Sequence, residues 1–208
     1  MSHRAVGQAI RQNGGNDYAR IGHMTYLSST STRGQLLVAT PPLEDPNFDR
    51  TVVLILEHQD SGAIGVVLNR DTHAPVASLL PDWEQRCQPM STIFRGGPVS
   101  VGSLIGLSEP FPELDPDAHR IMLSDRFVVS VDLAEPGDGG RTRIFAGYSG
   151  WGPGQLEAEL AAAAWLVIPA ELDDVLTTEP NSLWRRVLAR QGGRTAWLSH
   201  APDDLSAN

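Results

Sequence analysis

The segment with the most chemical possibility is Gly147-Tyr148-Ser149-Gly150-Trp151-Gly152-Pro153-Gly154-Gln155, a glycine-rich bend between a strand pattern and a helix pattern. Two kinds of chemistry suit it. A serine on a strand-to-helix elbow can act as a nucleophile, and Ser149 is followed by Asp173 or Asp174 and then His200, the Ser, Asp, His order of α/β-hydrolases. The elbow pattern fails at its fifth position, where Trp151 stands in place of glycine. In the second chemistry, backbone N–H groups around Gly150, Gly154 and Gln155 cradle a carboxylate or phosphate at the start of the following helix. No lysine follows to complete a P-loop. The plain structural account is a tight turn with Trp151 filling the core beneath it.

A second polar group enters and leaves an apolar strand run: Asp45-Pro46-Asn47-Phe48-Asp49-Arg50-Thr51 before it, His58 after it, and Asn69-Arg70 at the end of its hairpin partner. Arg50 has the fork geometry to clamp a carboxylate, and His58 is the residue type that titrates near neutral pH. The plainer expectation is that Asp and Asn satisfy backbone groups while Arg50 pairs with Asp45 or Asp49. Arg95-Gly96-Gly97-Pro98-Val99 is a third bend, too short and without a following helix to be a dinucleotide fingerprint. The six histidines show no metal-ligand spacing, so neither a metal nor a cofactor is expected. The single cysteine, Cys87, beside Arg86, reads as packing rather than chemistry and excludes an internal disulfide.

The elements that must position these residues are strand-rich first and helical later. Strand patterns cover 35 to 39 and 51 to 57, then 63 to 69 after the turn cluster Gln59-Asp60-Ser61-Gly62, which makes 51 to 69 a hairpin. Gly65 suggests a bulge in it. One short helix interrupted by Pro81 is expected at 76 to 83, and further strands at 92 to 95, 103 to 108, 120 to 124, 127 to 133 and 142 to 148. Apolar spacing of three to four predicts a helix over 155 to 166 and a second over about 181 to 190, stopped by Gly192-Gly193. Without regular βαβ alternation, this order argues α+β. Polar residues 1–32 predict a mobile arm, 33–200 a single domain and 201–208 a tail.

A formal charge of -9, with all 16 cations arginine and none clustered beyond Arg185-Arg186, argues against direct nucleic-acid binding. No apolar run approaches a membrane span, and the N-terminal residues lack a signal-peptide core, so a cytoplasmic, membrane-free location is expected.

Taken together, Gly34-Gln35-Leu36-Leu37-Val38-Ala39, the Asp45 to Val53 block, Gly65-Val66-Val67-Leu68-Asn69-Arg70, Gly96-Gly97-Pro98-Val99 and the Gly147 to Glu157 block resemble the YqgE/AlgH family in order and spacing. The resemblance covers roughly 33 to 190. It implies a bifurcated mixed β-sheet curled into a pseudo-barrel with flanking helices, and it brings no established biochemical activity, although some members carry the label of transcriptional regulator. Members often have Ala where this chain has Ser149. The longer N-terminal arm and an Asp/Gly-rich insertion around 135 to 141 depart from the family.

The leading expectation is a non-enzymatic regulatory or ligand- or protein-binding module. Its surface would join Asp45, Phe48, Arg50, His58, Asn69, Arg70, Gly96, Gly97, Gly150, Trp151, Gly154 and Gln155, and its partner would be a small anionic ligand or a protein. The alternative is a small-molecule hydrolase using Ser149 or His58 with a carboxylate.

Overall fold

Apolar residues in β1 (Gln35–Ala39) and β2 (Val52–Gln59) alternate between two cores rather than between core and solvent. Leu36, Val38, Val52 and Leu54 enter one cluster, while Leu37, Ala39, Val53 and Ile55 enter another on the opposite face. A strand buried on both faces requires an unbroken apolar run, which residues 52–56 supply. The computed structural model describes residues 31–41, 45, 47–111, 119–134, 136 and 139–201. The expected arm lies outside these apart from Ser31 and Thr32, as do the tail apart from Ala201 and part of the 135–141 insertion.

The strands run β10-β1-β2-β3-β9-β6-β8-β7 across the sheet, with β4 and β5 branching from it. Here β3 is Gly62–Val67, β4 Asp71–Pro75, β5 Thr92–Arg95, β6 Val99–Ser108, β7 Arg120–Met122, β8 Phe127–Val131, β9 Thr142–Trp151 and β10 Trp165–Pro169. The fork lies along β9. Near its C-terminal end β9 pairs antiparallel with β3, and further back it pairs parallel with β5. Gly96 closes the fork: its N–H donates to Ala146 O and its carbonyl accepts from Val67 N, both at 2.8 Å. The fold is α+β, a curled, forked sheet forming a half-barrel with a few helices.

Inside the curl, Leu36, Leu54, Phe94 and Phe145 pack under α2 (Leu172–Val175) and α3 (Pro180–Ala189). Each fully buried Leu or Phe there contributes about 1.5–3 kcal/mol relative to exposure. On the outer face α1 (Gln155–Ala161) lays Leu156 over β1, β2 and β3. Trp83 and Cys87 cover Ile93 and Ile144 in a third cluster. A short α4 (Gly193–Leu198) follows α3.

Four local expectations change. Residues 76 to 83 form two 3-10 turns, Val76–Ser78 and Pro81–Trp83, because Pro81 lacks an N–H and holds Leu80 out of the helical region at φ -136°, ψ 69°. The helix over 155 to 166 stops at Ala161, and Trp165–Pro169 instead completes the sheet edge beside β1, so a strand interrupts the helical C-terminal part. The bulge falls opposite Gly65, between Ile55 and Glu57 of β2. The strand expected to Ser124 ends at Met122, where Leu123 N turns to Arg126 O.

Candidate functional site

At the glycine-rich junction β9 runs straight into α1, and its side chains are consumed locally. Gly147, with φ 70°, shifts the alternation, so Phe145 and Tyr148 face the inner core while Trp151 faces the outer one. Ser149 is fully buried, and its hydroxyl donates to Gly96 O at 3.2 Å. The other members of the triad order are committed elsewhere. Arg190 grips Asp174 through both carboxylate oxygens at 2.7 Å, and the His200 ring lies 3.2 Å from Ser199 Oγ.

The Gly152 N–H in this bend donates to Gln155 Oε1 at 3.0 Å. Gln155 in turn donates to Glu159, whose other oxygen accepts both indole N–H groups, from Trp151 at 2.8 Å and Trp165 at 2.7 Å. Phe48 stacks on Trp151, with ring centres 6.3 Å apart, and meets Trp165 edge-on at 5.4 Å. Phe48, Trp151 and Gln155 therefore do meet, in an aromatic cap that fastens α1 to the sheet. Gly150 and Gly154 are exposed beside it.

The remaining expected residues divide between places. Asp45 Oδ1 accepts from Asn47, forming a local turn. Arg50 does not turn toward Asp45 or Asp49: its guanidinium lies 5.0 Å from the centre of the Trp184 ring and 3.4 Å from Ala201 O, on the inner-core side where α3 packs. Asn69 is buried, accepting from Val52 N and donating to Arg50 O, so it ties the end of one strand to the start of another. Arg70 donates to Asp49 O, and burial lowers its pKa, opposed by the nearby Asp49. Gly96 and Gly97 are buried in the fork, where a side chain on Gly97 would strike Tyr148 backbone at 2.2 Å. His58, at the far end of β2, is fixed between Thr32, 2.9 Å from Nδ1, and Glu157, 2.7 Å from Nε2. The Glu157 carboxyl is held below its usual range by a backbone hydrogen bond and then by His58.

Residues outside the expected set form a different group at the start of β9. Arg143 is 4% exposed, lies 4.2 Å over the Phe94 ring and donates Nη2 to Thr177 O at 2.7 Å. Its Nη1 is buried with no acceptor. Burial pushes its pKa down to about 10, against the attraction of Cys87 and Asp71, so it stays charged at neutral pH. Burial likewise pushes the Cys87 thiol up to about 11, opposed by Arg143. Thr177 also lines a cavity of about 500 Å³, together with Arg141, Asp173, Leu176, Thr178, Arg186 and Arg190 with its partners Asp174 and Glu171, and Arg143 itself lies outside that lining. The legible signal was a charged residue, Arg143, inside the apolar strand run 142 to 148.

Comparison with known proteins bears on the same span. A UPF0301 protein of Streptomyces coelicolor is 45% identical over 194 residues, covering 89% of this chain and 98% of the relative. One from Thermobifida fusca is 41% identical over 198 residues, 89% and 98% respectively. The AlgH-like family model matches residues 36–196. The chain belongs to the AlgH-like family. Among solved structures, this AlgH-like chain is similar to protein DIP2367 of Corynebacterium diphtheriae, with a TM-score of 0.73 and 28% identity over 82% of this chain and 92% of that one. It is also similar to the AlgH protein of Pseudomonas aeruginosa, with a TM-score of 0.62 and 30% identity over 87% and 100%. The family span includes the junction, the fork, Arg143 and Arg186, and excludes His200. Among the described residues no helix of this AlgH-like chain is long and apolar enough to cross a membrane.

Proposed function

We propose that this AlgH-like protein is a binding or regulatory module that performs no reaction of its own. The observation that carries the reading is the placement of Ser149, fully buried with its hydroxyl donated to Gly96 O inside the sheet fork. A nucleophile must come within about 3.5 Å of the reacting carbon, and reaching this oxygen requires separating Gly96 from β9. The other acid/base candidate, His58, has contacts at both ring nitrogens, to Thr32 and Glu157, and serves to hold α1 against the strand pair. What remains for function is recognition of a small anionic ligand or of a protein partner.

Exposure of the folded protein to a fluorophosphonate serine probe, followed by intact-mass measurement, tests this. The expected result is no added mass on the folded chain and no hydrolysis of p-nitrophenyl acetate or p-nitrophenyl phosphate beyond buffer. Stoichiometric labelling of Ser149, or turnover abolished by Ser149→Ala, would overturn the reading.

A further inference from the structure

At one end of the sheet β10 pairs with β1 on one side and, among the described residues, with no strand on the other. Its backbone groups divide accordingly. Ala39 N donates to Thr51 O, on the β2 side of β1, whereas Thr40 N donates to Ala164 O, on the β10 side. Because this direction alternates residue by residue along a strand, Leu36 and Val38 turn toward their opposites Ile168 and Leu166. Trp165, Val167 and Pro169 therefore turn their backbone groups to the open edge. Two observations agree with that parity. Arg190, which belongs to no strand, donates Nη2 to Pro169 O at 2.8 Å. Pro169, which has no N–H to give, stands at an outward position of an edge strand, where a sheet tolerates it.

Open edges are ordinarily guarded against pairing by charge or by a bulge. β10 has neither, since residues 160–170 carry no charged side chain and the β1–β10 register runs without a shift. Val167 is 39% exposed, on the same face as Trp165, and Leu166 is half-buried on the other face beside Ile168.

The strand is also its own complement. Turned about a two-fold axis at Val167, a second β10 lies antiparallel to the first, with Val167 opposite Val167, Leu166 opposite Ile168 and Trp165 opposite Pro169. Each Val167 N–H then meets the Val167 carbonyl of the other copy, and each Trp165 N–H meets the other copy's Pro169 carbonyl. That carbonyl has a second lone pair, so Arg190 keeps its bond. Every opposed side-chain pair is apolar, and no like charges face each other in a chain whose net charge of -9 otherwise opposes self-association.

We infer that β10 is a self-association edge, through which two copies of this chain join their sheets about a two-fold axis at Val167. A second copy fits better than a foreign strand because the same short edge supplies donor for acceptor and apolar side chain for apolar side chain. The contact is isologous, and it occupies the outward N–H groups of both strands, so it closes at a dimer. It stands independently of whether the protein binds a ligand.

Sedimentation velocity of the full chain tests the edge. The expected result is a monomer–dimer equilibrium with Kd of about 50 µM or tighter. Val167→Lys sets two ammonium groups opposite each other and should weaken the dimer at least tenfold, whereas Val101→Lys, at a more exposed position on β6, should leave it unchanged. The register has its own readout. Val167→Cys puts two thiols on directly opposed residues with Cα atoms about 5.5 Å apart, within disulfide reach. Mild oxidation of that folded variant should give a disulfide-linked dimer, and Val101→Cys should not; Cys87 is buried and does not compete. Should Val167→Lys fail to fold, the cysteine variant decides alone. A chain that stays monomeric up to about 100 µM, a dimer that Val167→Lys leaves intact, or a Val167→Cys protein that crosslinks no faster than Val101→Cys overturns the inference.

Discussion

At the residue scale, polar groups in this protein divide into those already satisfied and those left over. Ser149, Asn69, His58 and Gln155 each bond to a named neighbour within the fold. Arg143 Nη1 and Thr92 Oγ1 do not. Residue type and spacing could mark Ser149 and His58 as chemically capable, but burial depends on which strands meet, and no local pattern encodes that. Arg143 was legible only as an oddity, a cation among strand residues. Cys87 offers a direct check on this interior. With its thiol pushed up to about 11 from an ordinary 9.0, the thiolate fraction near pH 8 falls about a hundredfold. Ellman's reagent should therefore react with the native protein at least about a hundred times more slowly than with the guanidinium-unfolded chain. Equal rates would show the thiol to be accessible and the core around it open. The linkage sign follows from the raised value: the neutral thiol is the form the fold accommodates, so stability falls as pH rises from about 9 toward 11.

At the element scale, the forked sheet and the aromatic cap explain why the glycine-rich bends occur where they do. Gly97 packs so closely on β9 that an added Cβ would sit 2.2 Å from Tyr148 carbon and 2.4 Å from Ser149 nitrogen, whereas one at Gly154 would meet nothing within 4 Å. Gly97→Ala should cost about 3 kcal/mol or more, because backbone on both sides must move. Gly154→Ala should cost only about 1 kcal/mol, the penalty of a left-handed residue at φ 72°. Urea unfolding of the two variants separates a fork from a hinge, and similar losses would contradict it. Glu159 is the corresponding point in the cap. Glu159→Ala removes the acceptor of two indole N–H groups and of the Gln155 amide, which should cost about 3 kcal/mol and alter tryptophan emission. A loss under about 0.5 kcal/mol would mean the cap is ornamental. The hairpin, the β9 run and α3 were legible because period and turn chemistry agree there. The Trp165–Pro169 strand was not, since Ala161 to Ala164 favours helix and only pairing with β1 overrides that preference.

At the scale of the whole molecule, the curl has an outer face closed by α1 and an inner face closed by α3, and the expected site residues are distributed across both. Phe48, Trp151 and Gln155 belong to the outer cap, Arg50 reaches the inner side through Trp184, and Gly96 and Gly97 lie within the sheet. Motif order along the chain identified the family and its fold, because order and spacing survive in sequence. It could not identify a common surface, because facing depends on the fork. The account treats the glycine-rich junction as scaffolding, with Ser149 sealed in the sheet fork by Gly96. The most direct measurement is intact-mass analysis of the folded protein after exposure to a fluorophosphonate serine probe. The account predicts no added mass on the folded chain. Stoichiometric labelling at Ser149 would contradict it.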